Sequence, residues 1–311
     1  MRRIKISALI LAFIFILPLL TGCQSDENEF RFVFLTDIHC QQKLGAVEGF
    51  KAAIEAVNLL DPRPDFVVTG GDLVFDVLAT GYEHADSLYN LYAELIQEFN
   101  MPVYNTIGNH EIFGWYPNSG VDAKHPEFGK KMFANRLGDG RTYRSFDHKG
   151  WHFVLLDAMQ MTPERNYRGE IDLNQMKWLE KDLSEIESDQ PVVLVTHIPF
   201  YSIFLQYRNG PMTQNSERLV VTNAHEVNRI CDPYNLKAVL QGHLHTVEEI
   251  NYYGVKYITA GAVSGSWWQG PRFEFPEGFA VIDVSGDELT WHYEDYGWDA
   301  GKYAEAKNES N

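Results

Sequence analysis

The chain has 311 residues, of which 45% are hydrophobic and 14% aromatic, so it can bury a sizeable core and does not resemble low-complexity or disordered chains. Its 43 acidic and 26 basic residues give a formal charge of −17. This charge argues against nucleic acid or an anionic membrane surface as the main partner, because both require a concentrated basic face. Three cysteines are too few for a disulfide scaffold.

The N-terminal segment predicts export. A basic stretch precedes an apolar run over residues 6–20, which is shorter than the roughly 20 residues that a membrane-spanning helix needs. The run leads into the letters LTGC, which end at Cys23 and resemble a bacterial lipobox. We therefore expect a lipoprotein signal peptide over 1–22, lipidation of Cys23, a polar tether over 23–30, and a location in the cell envelope, periplasmic or surface-exposed. The alternative is an uncleaved anchor helix followed by a chance cysteine.

Beyond the tether, short apolar runs alternate with amphipathic helical patterns. The patterns predict strands over 32–35, 66–68, 102–104, 151–156, 192–195 and 236–240, and helices over 47–60, 88–99 and 173–186. The first of these strands is apolar without alternation, which is typical of a strand buried on both faces. Further along, the sequence is rich in β-strand patterns, with a hairpin turn at 251–254. We expect one α/β domain over 31–298, with two sheets and helices outside them, and a polar tail over 299–311.

Five short polar clusters directly follow predicted strands. They are Asp37-Ile38-His39, Gly71-Asp72, Gly108-Asn109-His110-Glu111, His197 and Gly242-His243-Leu244-His245. Because the carboxyl ends of strands in an open α/β sheet converge on one crevice, we expect these clusters to meet. Carboxylate, amide oxygen and imidazole suit borderline divalent metals, and no cysteine takes part. The clusters therefore predict a metal centre that is not a cysteine-type structural zinc site.

The order of these motifs resembles the calcineurin-like metallophosphoesterase family, from residue 31 to about 260. The resemblance implies two mixed β-sheets packed as a sandwich and flanked by helices, and a centre with two divalent ions, Mn, Zn, Fe or Ca. It assigns metal-ligating roles to seven residues: Asp37, His39 and His245 for the first ion, Asn109, His197 and His243 for the second, and Asp72 for both.

The resemblance also implies a phosphoester hydrolase, in which a hydroxide bridging the metals attacks phosphorus in line and His110 assists the leaving group. Orientation of a ligand is the alternative role for His110, and Glu111 is expected to cap or orient rather than to act as an acid. The related purple acid phosphatases place a tyrosine ligand where this chain has Phe75, so we do not expect a purple Fe(III) site.

The expected substrate is a small phosphoester and not a nucleic acid, with phosphodiesters favoured over phosphomonoesters. A non-catalytic metal-binding scaffold is the alternative from another functional class. Arg208 lies in a polar loop after His197 and is a candidate to bind phosphate. Trp267 and Trp268 lie in a glycine-rich segment and either stack on the substrate or pack across a sheet edge.

The two other cysteines are Cys40 and Cys231. An exported protein is permitted a disulfide, but nothing in the sequence places these two residues close together.

Overall fold

The computed structural model describes residues 29–304. The predicted signal peptide, Cys23 and nearly all of the tether lie outside the described residues, as do the last residues of the predicted tail. Within 29–304, none of the helices is both long and apolar enough to cross a membrane.

Within residues 29–304, thirteen strands and seven α-helices follow one another. The strands are β1 (Phe30–Leu35), β2 (Phe66–Thr69), β3 (Val103–Tyr104), β4 (Arg144–His148), β5 (Trp151–Leu155), β6 (Met159–Met161), β7 (Tyr167–Gly169), β8 (Pro191–Val195), β9 (Asn235–Gln241), β10 (Val247–Tyr252), β11 (Val255–Ala260), β12 (Gly278–Ser285) and β13 (Glu288–Asp295). The helices are α1 (Ala46–Asn58), α2 (Tyr82–Leu95), α3 (Lys131–Arg136), α4 (Leu173–Leu183), α5 (Phe204–Asn209), α6 (Ala224–Cys231) and α7 (Gly301–Ala304).

The strands form two mixed sheets, which confirms the predicted α/β architecture. The first sheet has the order β13-β12-β1-β2-β3, and the second has the order β10-β11-β9-β8-β5-β4. Strands β1, β2 and β3 run parallel to one another, and so do β5, β8, β9 and β11. Antiparallel strands complete both sheets, and β6 and β7 form a separate hairpin.

Strand β1 is buried on both faces, as its continuous apolar sequence predicts. Phe32 and Phe34 belong to a core cluster built from the facing strands of the two sheets, whereas Val33 and Leu35 belong to the cluster beneath the helices. The Phe32 ring lies 5.3 Å from Phe153 of the second sheet in an edge-on contact. Each such buried side chain contributes about 1.5–3 kcal/mol of transfer free energy, so β1 ties both layers together.

The C-terminal part extends the packed domain beyond its predicted boundary. A tight turn at Tyr253 and Gly254 joins β10 to β11, which confirms the predicted hairpin. Helix α7 lies inside the segment predicted as a polar tail, and its Tyr303 ring stacks on Trp298 at 4.6 Å. The predicted boundary at residue 298 is therefore too early.

The site edge of the fold is where the parallel strands of both sheets end. The Asp37 amide donates to the carbonyl of Gly71 (3.0 Å), and the Gly242 amide donates to the carbonyl of His197 (3.0 Å). The sheets approach so closely here that a Cβ at Gly242 would lie 2.0 Å from Thr36 Oγ1. Only glycine fits at that position, and its absent side chain lets the strand ends meet.

Candidate metal centre

The first group of ligand atoms comes from the loops after β1 and β9. His245 Nε2 lies 3.1 Å from Asp37 Oδ1 and 3.1 Å from His39 Nε2. All three side chains are buried, and their ligand atoms lie close enough together to hold one ion. The predicted first set is therefore brought together.

The second group comes from the loops after β2, β3, β8 and β9. His197 Nε2 lies 3.1 Å from Asn109 Oδ1, 3.1 Å from His243 Nδ1 and 3.2 Å from Asp72 Oδ2. The same Asp72 oxygen is 3.7 Å from His39 Nε2 of the first group. Asp72 thus lies between the two groups, at the position where one carboxylate can bind two ions.

Backbone carbonyls orient the four ligand histidines. In each ring, one nitrogen lies within hydrogen-bond distance of a backbone carbonyl oxygen and the other nitrogen points into the centre. The nitrogen-to-oxygen distances are 3.3 Å from His39 to Phe75, 2.8 Å from His197 to Gly70, 2.9 Å from His243 to Arg218 and 2.5 Å from His245 to Gly265. A carbonyl can only accept, so these contacts place a proton on the outer nitrogen, and in the neutral imidazole the lone pair then lies on the inner one. Metal-binding histidines are usually held in this way.

The donor set fits two divalent cations. When the imidazoles are neutral, lone pairs of nitrogen and oxygen face one another inside the centre, and Asp37 Oδ1 is buried without a hydrogen-bond partner. Separations of 3.1–3.2 Å between neighbouring ligand atoms match the edge of an octahedral shell, which is roughly 3 Å for metal–ligand distances near 2.1 Å. A bound cation would convert this repulsion into attraction.

The charges of the centre are strongly coupled. Burial opposes ionisation of Asp37, but the neighbouring His245 and His197 together outweigh it and lower the pKa of that carboxyl to about 2. Burial and the neighbouring His197 lower the pKa of His243 to about 3, which keeps its lone pair available. Burial also opposes charge on His197, but Asp72 outweighs it and raises the pKa of His197 to about 9, so a proton competes with a metal ion for Nε2.

The backbone at the centre is held in an uncommon conformation. Five of the seven proposed ligands have positive φ, in the left-handed region: Asp37 (56°), His39 (48°), Asp72 (52°), His243 (70°) and His245 (54°). Each such residue costs on the order of 1–3 kcal/mol and persists only where its surroundings fix it. The fold therefore stabilises these loops at a cost, as is common at functional sites.

Glu111 provides part of that fixation. Its buried carboxylate accepts backbone N–H groups from Asp72 (2.9 Å), Leu73 (2.7 Å), Val74 (3.0 Å) and Gly108 (2.7 Å). Burial raises the pKa of Glu111 to about 7, and the Asp72 charge adds to this effect, while the backbone donors oppose it. Glu111 therefore ties the loops after β2 and β3 together and does not face the ligand atoms.

His110 lies at the mouth of the centre. Its Nδ1 lies against the carbonyl of Phe75, and its Nε2 lies 3.8 Å from Asp72 Oδ2. The side chain is 21% exposed, whereas the imidazole of His39, 4.7 Å away between ring centres, is fully buried. This geometry permits proton transfer to a bound substrate or, with His39 and Asp72, ligation of an ion. The Phe75 side chain offers no ligand atom, and its contribution is the carbonyl.

The three predicted substrate residues lie in different surroundings. The Trp267 ring lies 4.7 Å from the His245 ring, directly beside the centre. Trp268 is 1% exposed and donates its Nε1–H to the His39 carbonyl (3.0 Å). The buried ring has no face open to a substrate, so the expectation of substrate contact is wrong for Trp268, which supports the ligand loop instead. Arg208 lies further out, over the ring of Phe273 at 4.1 Å.

Sequence reasoning missed Arg218. Its carbonyl oxygen orients His243, while its guanidinium donates to Tyr116 Oη (3.1 Å) and lies 4.5 Å from the centre of the Tyr167 ring. The residue occupies an irregular loop between α5 and α6, where no strand or helix pattern marks it. The sequence signal for a role of Arg218 was its positive charge and its position between His197 and the motif at His243.

Cys40 and Cys231 are both free and buried. The disulfide that an exported protein could form between them is absent among residues 29–304.

The comparisons with known proteins agree with this geometry. The family described as "Calcineurin-like phosphoesterase" matches residues 30–247. The 3',5'-cyclic adenosine monophosphate phosphodiesterase CpdA of Escherichia coli K12 is 26% identical over 248 residues, which cover 77% of this chain and 78% of that protein. The mouse serine/threonine-protein phosphatase CPPED1 is 24% identical over 245 residues, covering 78% of this chain and 71% of that protein.

A solved structure supports the fold separately. A dimetal phosphatase from Danio rerio superposes with a TM-score of 0.62 at 16% identity, covering 86% of this chain and 96% of that one. The family match spans well over half of the sequence and includes every motif that contributes a candidate ligand. The chain is a phosphoesterase and belongs to the calcineurin-like phosphoesterase family.

Proposed function

We propose that this protein is a metal-dependent phosphodiesterase that hydrolyses small phosphodiesters, with 3',5'-cyclic nucleotides as the first class to examine. The observation that carries the proposal is the position of Asp72 between two groups of ligand atoms, with His110 beside it at the open side. The name of the E. coli relative supports the choice of a cyclic diester.

The seven residues assigned above would hold two divalent cations, of which Mn, Zn, Fe and Ca are all compatible with the mixed nitrogen and oxygen donors. When bound, such ions polarise the phosphoryl oxygens and lower the pKa of a coordinated water. The chain itself fixes the donors: Asp72 serves both groups, and the carbonyls of Phe75, Gly70, Arg218 and Gly265 hold the imidazoles in one orientation.

His110 is proposed to protonate the leaving alkoxide. As an imidazolium it keeps the Nδ1 proton on the Phe75 carbonyl and can release the Nε2 proton to the ester oxygen. Proton donation matters most for esters of ordinary alcohols, whose alkoxides are poor leaving groups.

The ratio of diester to monoester hydrolysis tests the proposal. Bis-p-nitrophenyl phosphate, p-nitrophenyl phosphate and 3',5'-cyclic AMP are incubated with the protein and Mn²⁺, before and after chelation. We expect metal-dependent hydrolysis that is faster for the diesters. Faster hydrolysis of the monoester would make the protein a phosphomonoesterase, the activity that the name of the mouse relative describes. No metal-dependent turnover on any phosphoester would favour a metal-binding scaffold.

We also propose that the protein is a lipoprotein of the cell envelope, anchored through Cys23. The support is the N-terminal sequence alone, since Cys23 lies outside the described residues. Cell fractionation with fatty-acid labelling tests it: the wild-type chain should label and sediment with membranes, and Cys23→Ala should do neither. Equal labelling of both chains would contradict the anchor.

A further inference from the structure

A ladder of alternating rings and guanidinium groups runs outward from His245. The Arg272 guanidinium lies 4.5 Å from the Trp267 ring, which itself contacts His245, and 4.6 Å from the Phe273 ring. Arg208 lies over Phe273 at 4.1 Å. A single ring thus separates the first guanidinium from a proposed metal ligand.

Neither arginine has a counterion. Within the described part of the chain, no carboxylate oxygen lies within 4.0 Å of the guanidinium of Arg208 or Arg272. Arg272 is half-buried, and its Nε is fully buried without a hydrogen-bond partner. Burial lowers the pKa of Arg272, the Asp37 carboxylate of the metal centre opposes this effect, and the nearby Arg208 charge adds to the lowering. The two guanidinium groups repel each other and have no carboxylate within ion-pair distance. An anion bound beside both of them would therefore be stabilised.

The loop that carries Arg272 is strained into this position. Arg272 and Phe275 exchange two backbone hydrogen bonds, 3.0 and 2.9 Å, across a two-residue turn. The residues between them, Phe273 and Glu274, have φ of 49° and 72°, a conformation that such turns usually assign to asparagine and glycine. The turn places the Phe273 ring against both guanidinium groups.

The outer end of the ladder, Phe273 and Arg208, borders a cavity of about 790 Å³, which is large enough for the organic part of a substrate. Phe204, Arg208 and Phe273 line it, together with Thr246, the residue after His245. Glu248 also lines it, but its carboxylate is engaged by Ser202 Oγ and the Ile203 amide, both at 2.7 Å. The exposed Glu274 is the remaining carboxylate among its lining residues.

We propose that Arg272 and Arg208 form a subsite for a second anionic group on the substrate, a phosphate or carboxylate carried by the alcohol part of the ester. The proposal rests on the proposed phosphodiesterase activity and narrows its substrate class from simple 3',5'-cyclic nucleotides, which carry one anionic group, to diesters that carry a second one. The metal centre takes the phosphodiester that is cleaved, and the two guanidinium groups take the second anion. Phe273, which is 39% exposed, offers an apolar surface to the part of the substrate that links the phosphodiester to the second anion.

A matched pair of substrates tests this subsite. Thymidine 5'-(p-nitrophenyl phosphate) and the same ester with an added 3'-phosphate differ only in the second anion, and both release p-nitrophenol. For the wild-type metal-loaded protein we expect a kcat/KM at least about tenfold higher for the 3'-phosphorylated ester, the size of a charge-assisted hydrogen bond. Arg272→Gln and Arg208→Gln should each reduce that ratio, and the double variant should bring it close to 1.

Arg63→Gln is the matched control, because it removes one charge from an exposed arginine outside the cavity and should leave the ratio unchanged. Equal kcat/KM values for the two esters in the wild-type protein would overturn the subsite while leaving the phosphodiesterase intact. If neither ester is hydrolysed, the proposed function fails, and calorimetric binding decides the subsite. Tighter binding of thymidine 3',5'-bisphosphate than of thymidine 5'-phosphate, lost in Arg272→Gln, would uphold it, and equal affinities would overturn it.

Discussion

The inward nitrogens of His39 and His245 lie 3.1 Å apart, although each ring has its other nitrogen on a backbone carbonyl. Two lone pairs at this distance repel each other in a buried site, and the fold holds them there through the carbonyls of Phe75 and Gly265. Such an arrangement is stabilised when a cation lies between the nitrogens. The contact is the most direct sign in the protein that its catalytic centre is built for metal.

Metal should therefore stabilise the folded protein. At a free metal concentration about a hundred times Kd, binding contributes about 2.7 kcal/mol, which corresponds to an increase in Tm of roughly 5–10 °C for a domain of this size. We expect this increase with Mn²⁺ or Zn²⁺ and its reversal by chelation, measured by thermal unfolding. Asp72→Asn should lose most of the increase, whereas Asp283→Asn, an exposed partner of Arg31, should retain it. An unchanged Tm in the wild-type protein would contradict the assignment.

The roles of Asp72 and His110 are separable by leaving group. Asp72→Asn removes a ligand oxygen from both groups and should abolish hydrolysis of every ester. His110→Ala should slow hydrolysis of an alkyl ester by about 10²–10⁴-fold, because the alkoxide then lacks its proton donor. The effect should be much smaller for p-nitrophenyl esters, whose leaving group needs no proton. Steady-state rates on the two ester types measure this, and full turnover of the alkyl ester by His110→Ala would refute the acid role.

Much of the centre could be predicted because its residues follow strands whose apolar runs are unmistakable. The continuous apolar sequence of β1 marks it as a strand that is buried on both faces, and Asp37 and His39 follow directly at its end. The strands β4, β6 and β7 could not be predicted, because their sequences, RSFDH, MQM and YRG, contain no continuous apolar run of the kind that marks the other strands. Trp268 shows a second limit. The sequence does not distinguish the two adjacent tryptophans, whereas in the structure the Trp267 ring lies beside His245 and the Trp268 ring is buried.

A buried histidine away from the centre should make stability depend on pH. His152 is 4% exposed and contacts Asp147 (2.8 Å) and Asp182 (3.0 Å). Burial opposes its charge, but the two aspartates outweigh burial and raise its pKa above the ordinary value of 6.5. A raised histidine pKa stabilises the fold fully below that ordinary value, and the stabilisation is lost as pH rises through the folded-state pKa.

We therefore expect the free energy of unfolding of the wild-type protein to fall by on the order of 1 kcal/mol more than that of His152→Gln between about pH 6 and pH 9. Urea unfolding at both pH values measures the difference. The exposed His84→Gln serves as control and should follow the wild type. A steeper decline in His152→Gln than in the wild type would reverse the sign and contradict the ion-pair assignment.

The two buried cysteines should be chemically inert in the native protein. Burial raises the pKa of Cys40 and of Cys231 to about 12, which removes the reactive thiolate at neutral pH. In a Cys23→Ser chain, a thiol reagent should label neither residue until denaturant is added, when both should react. Rapid native labelling, or a chain that lacks two free thiols after denaturation, would show that the thiols are exposed or paired.

The most direct test of the binuclear assignment is activity measured against bound metal. Metal-free protein is titrated with Mn²⁺, and bound metal per chain is determined alongside the rate of bis-p-nitrophenyl phosphate hydrolysis. If Asp72 serves two ions, the rate should remain low at one equivalent and reach its maximum only as the second equivalent binds. Full activity at one bound ion, or undiminished hydrolysis by the metal-free chain, would contradict the account.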